Sequence, residues 1–169
     1  GGYERVRHRV SGDDMLLVQL IRRLTKWRIV VAPPPLTATR HPESDSWRSL
    51  LQQRVRWSSN APILIGTDPL IFGYLVCAFV MNVMLMGSLL AMPLGVINPA
   101  WGLGSWLAKS SVELAIMARA AAYFGRRELL FFFPIWTLTH PFAVVMFGIG
   151  GCRGHFEWKG RFYRGGCNT

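Results

Sequence analysis

The longest apolar stretch of the chain covers Pro69–Met92, and its polar interruptions are Asn82 and Ser88. No charged side chain occurs between Pro69 and Ala108. A helix needs about 20 apolar residues to cross a bilayer core of about 30 Å. The pattern therefore predicts a membrane span over Pro69–Met92. A buried helix in a soluble core fits less well, because a domain this short rarely encloses so long an apolar helix.

Two further segments are candidates for the membrane. Leu129–Gly150 is apolar apart from His140, and its two prolines would kink a helix without excluding a span. Trp101–Phe124 contains Lys109 and Glu113, which are four residues apart and can pair on one helix face. An intramembrane pair of this kind usually faces a bundle interior. An amphipathic helix in the membrane interface is an equally good interpretation, so the pattern predicts two or three spans.

The first 60 residues have a different pattern, typical of part of a soluble α/β domain. A run of apolar residues at helical spacing begins just after Asp13 and Asp14 and predicts a helix that Ser11 or Asp13 can cap. Trp27–Ala32 predicts a short buried strand that a run of prolines closes. A second extended piece follows over Leu36–Thr39.

A basic amphipathic helix is predicted just before the first span, over Ser46–Ser59. Such a helix would lie along the inner membrane surface. Gln53, Arg56 and Trp57 share one of its faces because they are three and four residues apart. An amide, a guanidinium and an indole suit a phosphorylated sugar, since they recognise a hydroxyl, a phosphate and a sugar ring. They equally suit a plain anchor, with Trp at the interface and Arg on lipid phosphate.

Composition narrows the class of protein. Of the 169 residues, 17% are charged and 51% are hydrophobic, which excludes a disordered chain and argues against an ordinary soluble domain. The formal charge of +10 requires anionic partners, and we expect membrane lipid to be one of them. Three cysteines give no disulfide framework and no metal-ligand spacing. Nucleic acid is not expected as a partner, because outside the membrane-like sequence no basic patch is interleaved with exposed aromatic residues.

Charge also predicts an orientation. Residues 1–60 hold 11 of the 19 Lys and Arg residues, so the positive-inside rule places them on the cytoplasmic side of a multi-pass membrane protein. Three spans would put Arg126 and Arg127 inside and the basic tail, residues 151–169, outside. Two spans would do the reverse. As a hypothesis, we favour a cytoplasmic tail.

Several short motifs occur in the order found in a known family. Gly1, Gly2 and Tyr3 are similar to a Gly-Gly-aromatic loop on the acceptor side of the site, and Asp13-Asp14 resembles an acidic pair. Gln53, Arg56 and Trp57 match a QxxRW motif, and apolar spans follow at once. Phe156–Arg161 resembles a Trp-Lys-Gly-Arg tail. In this order the chain resembles the C-terminal portion of membrane-bound family-2 glycosyltransferases, which include cellulose, chitin and hyaluronan synthases and ceramide glucosyltransferase.

The resemblance implies an inverting hexosyltransferase that moves a sugar from a nucleotide-sugar donor to a glycan or lipid acceptor. Asp14 would be the catalytic base, and Asp13 would orient it or cap the helix. Gln53, Arg56 and Trp57 would bind the donor diphosphate and the acceptor end. The run Trp158–Arg164 is compatible with contact to lipid phosphate or with a return to the active site, and we favour lipid contact.

The resemblance covers only the back half of such an enzyme. Mg²⁺ or Mn²⁺ is expected in the full-length protein through a DxD motif that this chain lacks, and no cofactor or metal site is expected here. We therefore expect a missing N-terminal catalytic half as a partner and an inactive chain without it. The predicted organisation is a GT-A-like remnant (1–45), an interfacial helix with QxxRW (46–60), a transmembrane region (61–150) and a basic tail (151–169). The alternative function is a non-enzymatic basic membrane anchor or a small transporter-like subunit.

Overall fold

Helices make up most of the computed structural model, which describes Glu4 and residues 13–30, 46–158 and 160–164. The helices are α1 (Asp13–Leu24), α2 (Trp47–Ser58), α3 (Leu64–Thr67), α4 (Pro69–Ala91), α5 (Pro99–Tyr123) and α6 (Phe133–Arg153), with 3₁₀ turns at Ala61–Ile63 and Arg127–Phe132. Strands β1 (His155–Trp158) and β2 (Arg161–Arg164) follow. The chain divides into unit 1, residues 1–32, 39–77 and 146–169, and unit 2, residues 33–38 and 78–145.

Helix α1 confirms the helix expected after Asp13. It buries Leu16 and Gln19 and is anchored at its C-terminal end in unit 1. There, the Arg22 guanidinium lies 3.0 Å from the Asp68 carboxylate, and Arg23 donates to the Gly66 carbonyl at 2.9 Å. The helix therefore docks by its basic last turn onto the segment that leads into α4.

The buried strand expected at Trp27–Ala32 is wrong for residues 27–30, which are the part of that range that the structure describes. Residues 25–30 have no regular secondary structure, and the Trp27 and Val30 side chains are 74% and 75% exposed. A strand forms only where a neighbour satisfies its backbone N–H and C=O groups, and residues 25–30 have no strand partner in the described structure. The second extended piece, Leu36–Thr39, lies outside the described residues.

Helix α2 confirms the amphipathic helix expected before the first span. The Ser46 hydroxyl caps it by accepting from the Ser49 amide at 3.2 Å. The helix ends at Ser58, and the chain then turns toward α4. At the start of α4, Asp68 Oδ1 accepts from the Ile71 amide at 3.2 Å, so Asp68 caps that helix while its other oxygen pairs with Arg22.

Within the described chain, two helical segments are long and apolar enough to cross a membrane: Pro69–Ala91 and Arg127–Arg153. They correspond to the spans expected at Pro69–Met92 and Leu129–Gly150. The apolar windows of these segments are only 11% and 6% buried inside the protein. The core helix of a soluble domain would be mostly buried, so this exposure favours contact with lipid over the soluble alternative.

Helix α5 corresponds to the segment whose membrane role the sequence left open. Asn98 caps it by accepting from the Ala100 amide at 2.9 Å, and Pro99 occupies its first turn. In unit 2, the Trp106 indole N–H lies 3.2 Å from both the Leu85 carbonyl and the Ser88 hydroxyl of α4. This contact fixes the first half of α5 near the C-terminal end of α4.

The C-terminal hairpin consists of β1 and β2, which pair antiparallel with Phe156 opposite Tyr163. Gly160 has a φ of +72°, a left-handed conformation that glycine adopts without strain, and it forms the turn. Phe156 is 2% exposed and stacks on Tyr163 with ring centroids 5.6 Å apart. In unit 1 the hairpin packs against α2, and this packing creates the candidate site.

Candidate functional site

A polar pocket of about 530 Å³ lies in unit 1 between helix α2 and the C-terminal hairpin. This volume lies within the range of small-molecule sites. Its lining residues are nearly all polar: Ser46, Arg48, Ser49, Gln52, Gln53, Arg56, Glu157 and Gly160.

Helix α2 forms the first wall because of the spacing of its polar residues. Arg48, Gln52 and Arg56 follow one another at intervals of four, which keeps them on one side of a helix with 3.6 residues per turn. Ser49 and Gln53 flank this row on the same side. The sequence pattern of α2 therefore makes one continuous polar face.

The hairpin forms the second wall through Glu157 and Gly160. The Glu157 amide donates to the Gln52 side-chain oxygen at 2.9 Å. The Glu157 carboxylate accepts from the Arg48 guanidinium at 3.2 Å. One residue of the tail thus contacts two residues of the α2 polar face.

Two glycines, Gly150 and Gly151, allow the end of α6 to pack closely against α2. A Cβ added to Gly150 would lie 2.9 Å from a methyl carbon of Val55. A Cβ added to Gly151 would lie 2.5 Å from the Ser58 Cβ and 2.7 Å from its backbone carbonyl carbon. Contacts this short do not occur for real side chains, so only glycine fits at Gly151 without moving α2. Small residues of this kind allow helix backbones to approach one another.

The structure brings two of the three QxxRW residues to the pocket. Gln53 and Arg56 line it, whereas Trp57 is not among the lining residues. The Trp57 side chain is 48% exposed, and its ring lies 4.8 Å from the Arg54 guanidinium carbon. Trp57 is therefore the residue of the motif that lies outside the pocket lining.

Asp14 of the expected acidic pair is not among the described lining residues of the pocket. Asp14 is exposed in the first turn of α1 and is not a lining residue, and its Oδ1 accepts from the Met15 amide at 2.7 Å. Arg22, which anchors α1, lies eight residues further along, or about 12 Å along the helix axis. Asp13 belongs to the same first turn, but its side chain is outside the described part. Gly1, Gly2 and Tyr3 also lie outside the described residues.

Sequence reasoning missed Arg48, Gln52 and Glu157 as site residues. Gln52 lies about one turn and Arg48 about two turns before Arg56. Extending the motif backward at intervals of four would have found both. Glu157 is separated from Arg48 by 109 residues, and no local pattern links them. In the tail, Gly160 lines the pocket, and contact of the run Trp158–Arg164 with lipid phosphate stays a prediction.

A second polar cluster lies in unit 2, between α5 and α6. The Lys109 ammonium lies 2.9 Å from Glu113 Oε2, although out of line for a regular hydrogen bond, and the Lys109 side chain is only 4% exposed. His140 Nδ1 lies 2.9 Å from Glu113 Oε1 and 3.5 Å from the Lys109 nitrogen. The expected pair of Lys109 and Glu113 is confirmed, and His140, which the sequence gave no role, joins it.

The charge of the pocket determines what it can bind. Among the described lining residues, the ionisable groups are Arg48, Arg56 and Glu157, whose formal charges sum to +1. Guanidinium groups recognise phosphate oxygens by paired, charge-assisted hydrogen bonds. The Gln52 and Gln53 amides and the Glu157 carboxylate can bond to hydroxyl groups. The arrangement suits an anion that also has hydroxyl groups.

Comparison of the chain with protein-family models, with curated proteins and with solved structures finds no match. Among the described residues, no group of three or more His, Cys, Asp and Glu side chains could hold a metal ion.

Proposed function

We propose that the chain is the C-terminal part of a membrane-embedded inverting glycosyltransferase of the hexosyltransferase type. The observation that supports this best is the polar pocket, in which Gln53 and Arg56 of the QxxRW motif lie together with a second arginine. The pocket helix ends at Ser58, and a helix of span length begins at Pro69. A phosphate-binding face just before a span is what a transferase needs when its acceptor is made or held at the membrane.

In the proposed reaction, Arg56 stabilises the charge that develops on the departing nucleoside diphosphate. Gln53 binds a hydroxyl beside it, and the exposed Trp57 ring offers a face for the acceptor sugar. The resemblance gives Asp14 the role of base for the acceptor hydroxyl, but Asp14 is not a described lining residue of the pocket, so this role rests on the resemblance alone. The resemblance implies Mg²⁺ or Mn²⁺ bound by the N-terminal catalytic half, and the residues described here supply none of its ligands.

The GT-A-like character of residues 1–45 is part of the same proposal. Residues 25–30 contain both polar and apolar side chains, expose Trp27, Ile29 and Val30, and have no strand partner among the described residues. In a complete enzyme this segment would join the sheet of the N-terminal half, where a neighbouring strand would satisfy its backbone groups.

Binding of a nucleotide sugar by the chain in lipid nanodiscs tests the proposal. We expect saturable binding of UDP-glucose in isothermal titration, and Arg56→Ala should weaken it about tenfold or more, because hydrogen bonds to charged groups contribute about 1.5–3 kcal/mol. Arg54→Ala is the matched control, since Arg54 is a cation of the same helix that stacks on Trp57 outside the pocket lining. Equal losses in the two variants would contradict the assignment.

One observation favours the alternative of a non-enzymatic basic anchor. The outward face of α2 exposes Trp47 and Leu51 in addition to Trp57, and Trp47 is 80% exposed. An exposed Trp-rich face on a basic helix is typical of contact with a membrane interface. If the chain binds anionic vesicles but no UDP-glucose, the anchor becomes the better conclusion.

The membrane orientation follows from the packing of unit 1. The tail contacts α2 through Glu157 and Gly151, so the proposed arrangement would put α2 and the tail on the same side of the membrane. The chain between them must therefore cross an even number of times. With α4 and α6 as the two spans, the positive-inside rule would then put the tail in the cytoplasm with residues 1–60. A reporter fused after Thr169 should be active on the cytoplasmic side, and activity outside would reject the two-span topology.

A further inference from the structure

We propose that the C-terminal hairpin is a specificity element of the pocket, and that Glu157 selects ligands in which a hydroxyl-bearing sugar is attached to phosphate. The inference rests on the proposed function, because it assigns a role within the same pocket. It extends that function to a residue outside the QxxRW motif, in a segment that follows both candidate spans in the sequence.

The hairpin is held in place by contacts that do not depend on a ligand. Phe156 is almost fully buried and stacks on Tyr163, and the Glu157 backbone amide bonds to Gln52. Gly160 forms the turn that brings the hairpin back to the cavity. Because the backbone at Glu157 is fixed on both sides, its carboxylate is presented at the cavity wall in a set position.

The Glu157 carboxylate has two consequences for a ligand. Its Oε2 accepts from Arg48, which lies at the opposite end of the α2 polar row from Arg56. A carboxylate accepts about four hydrogen bonds, so acceptor capacity remains next to this pair for a ligand hydroxyl. Glu157 is therefore both a positioning residue for Arg48 and a hydroxyl acceptor.

The same carboxylate disfavours a bare phosphate. A pocket built only for inorganic anions would gain from two arginines and lose from a negative charge beside one of them. Glu157 reduces the net charge of the lining groups from +2 to +1. A ligand recovers this loss only if it offers a hydroxyl donor close to its phosphate, as sugar phosphates and nucleotide sugars do.

The test compares two probes, UDP-glucose and pyrophosphate, on the chain in nanodiscs with and without Glu157→Gln. We expect the variant to bind UDP-glucose about tenfold more weakly, while its affinity for pyrophosphate is unchanged or higher. Arg161→Ala is the matched control, because Arg161 is an exposed charge of the same hairpin that is not a lining residue. It should leave the ratio of the two affinities unchanged.

The ratio separates a specific role from a structural one. Misfolding of the hairpin would weaken both probes together, and an equal loss of both overturns the assignment of Glu157. An unchanged ratio in Glu157→Gln, with wild-type binding intact, overturns this inference but leaves the proposed function standing. If the wild-type chain binds neither probe, the proposed function fails and this inference fails with it.

Discussion

Removal of the Glu113 carboxylate is the most demanding test of the polar cluster in unit 2. Glu113→Ala leaves the Lys109 ammonium without its ion-pair partner, and the Lys109 side chain is only 4% exposed. Breaking a buried ion pair by removing one partner typically costs 3–5 kcal/mol. We expect about 3 kcal/mol, the low end of that range, because His140 Nδ1 remains as an acceptor 3.5 Å from the Lys109 nitrogen.

The expected change is large enough to measure. A loss of about 3 kcal/mol lowers the ratio of folded to unfolded chain by about a hundredfold. The free energy of unfolding can be obtained from titration with SDS in mixed micelles, followed by far-UV circular dichroism. The control is Glu128→Ala, because the Glu128 carboxylate pairs with Arg126 at an exposed position and its removal should give no resolvable change.

A compensating variant completes the test. Lys109→Met combined with Glu113→Leu replaces the pair by apolar side chains of similar length, and such replacements are often neutral or stabilising. The double variant should therefore recover most of the stability lost in Glu113→Ala. If Glu113→Ala unfolds within about 0.5 kcal/mol of the wild type, the scale of an ordinary surface substitution, Lys109 is not held as a buried charge and the reasoning is refuted.

Three further predictions concern unit 1. Gly151→Ala should lower the free energy of unfolding by about 1–3 kcal/mol, because the added methyl group overpacks against Ser58. It should also weaken UDP-glucose binding. Gly73→Ala is the control that should change neither quantity, because an added Cβ there meets nothing within 4 Å. Asp68→Ala should lower the free energy of unfolding, measured by thermal denaturation, by about 1 kcal/mol or more, because it removes the α4 cap. Asp68→Asn keeps the cap, so equal losses in the two variants would argue against the capping role. In a full-length enzyme, Asp14→Asn should reduce turnover by about 10²–10⁴-fold, and retention of more than about a tenth of the turnover would exclude a general base.

Much of the helical architecture could be predicted, because its determinants are local. The apolar run after Pro69 and the alternation of polar and apolar residues in α2 each depend on near neighbours in the sequence. The pair of Lys109 and Glu113 was predictable for the same reason, since residues four apart on a helix lie side by side. Its burial against His140 was not, because that contact depends on which face of α5 meets α6.

The candidate site was less predictable from the sequence than the helices were. Gln53 and Arg56 were recognisable from a short motif, but Glu157 and Gly160 come from a hairpin that follows both candidate spans in the sequence. The buried strand at Trp27–Ala32 failed in the residues described because apolar composition alone cannot supply a partner strand. Asp14 was assigned by motif order, and order along a chain does not determine which side chains converge on one cavity.

The contact between Arg48 and Glu157 joins residues 109 positions apart and has a consequence for biosynthesis. At about 5–20 residues per second, the ribosome adds Glu157 roughly 5–20 seconds after Arg48. During that interval α2 exists without the second wall of the pocket. The polar pocket can therefore form only after the segment Arg127–Arg153, which precedes the hairpin, has been synthesised.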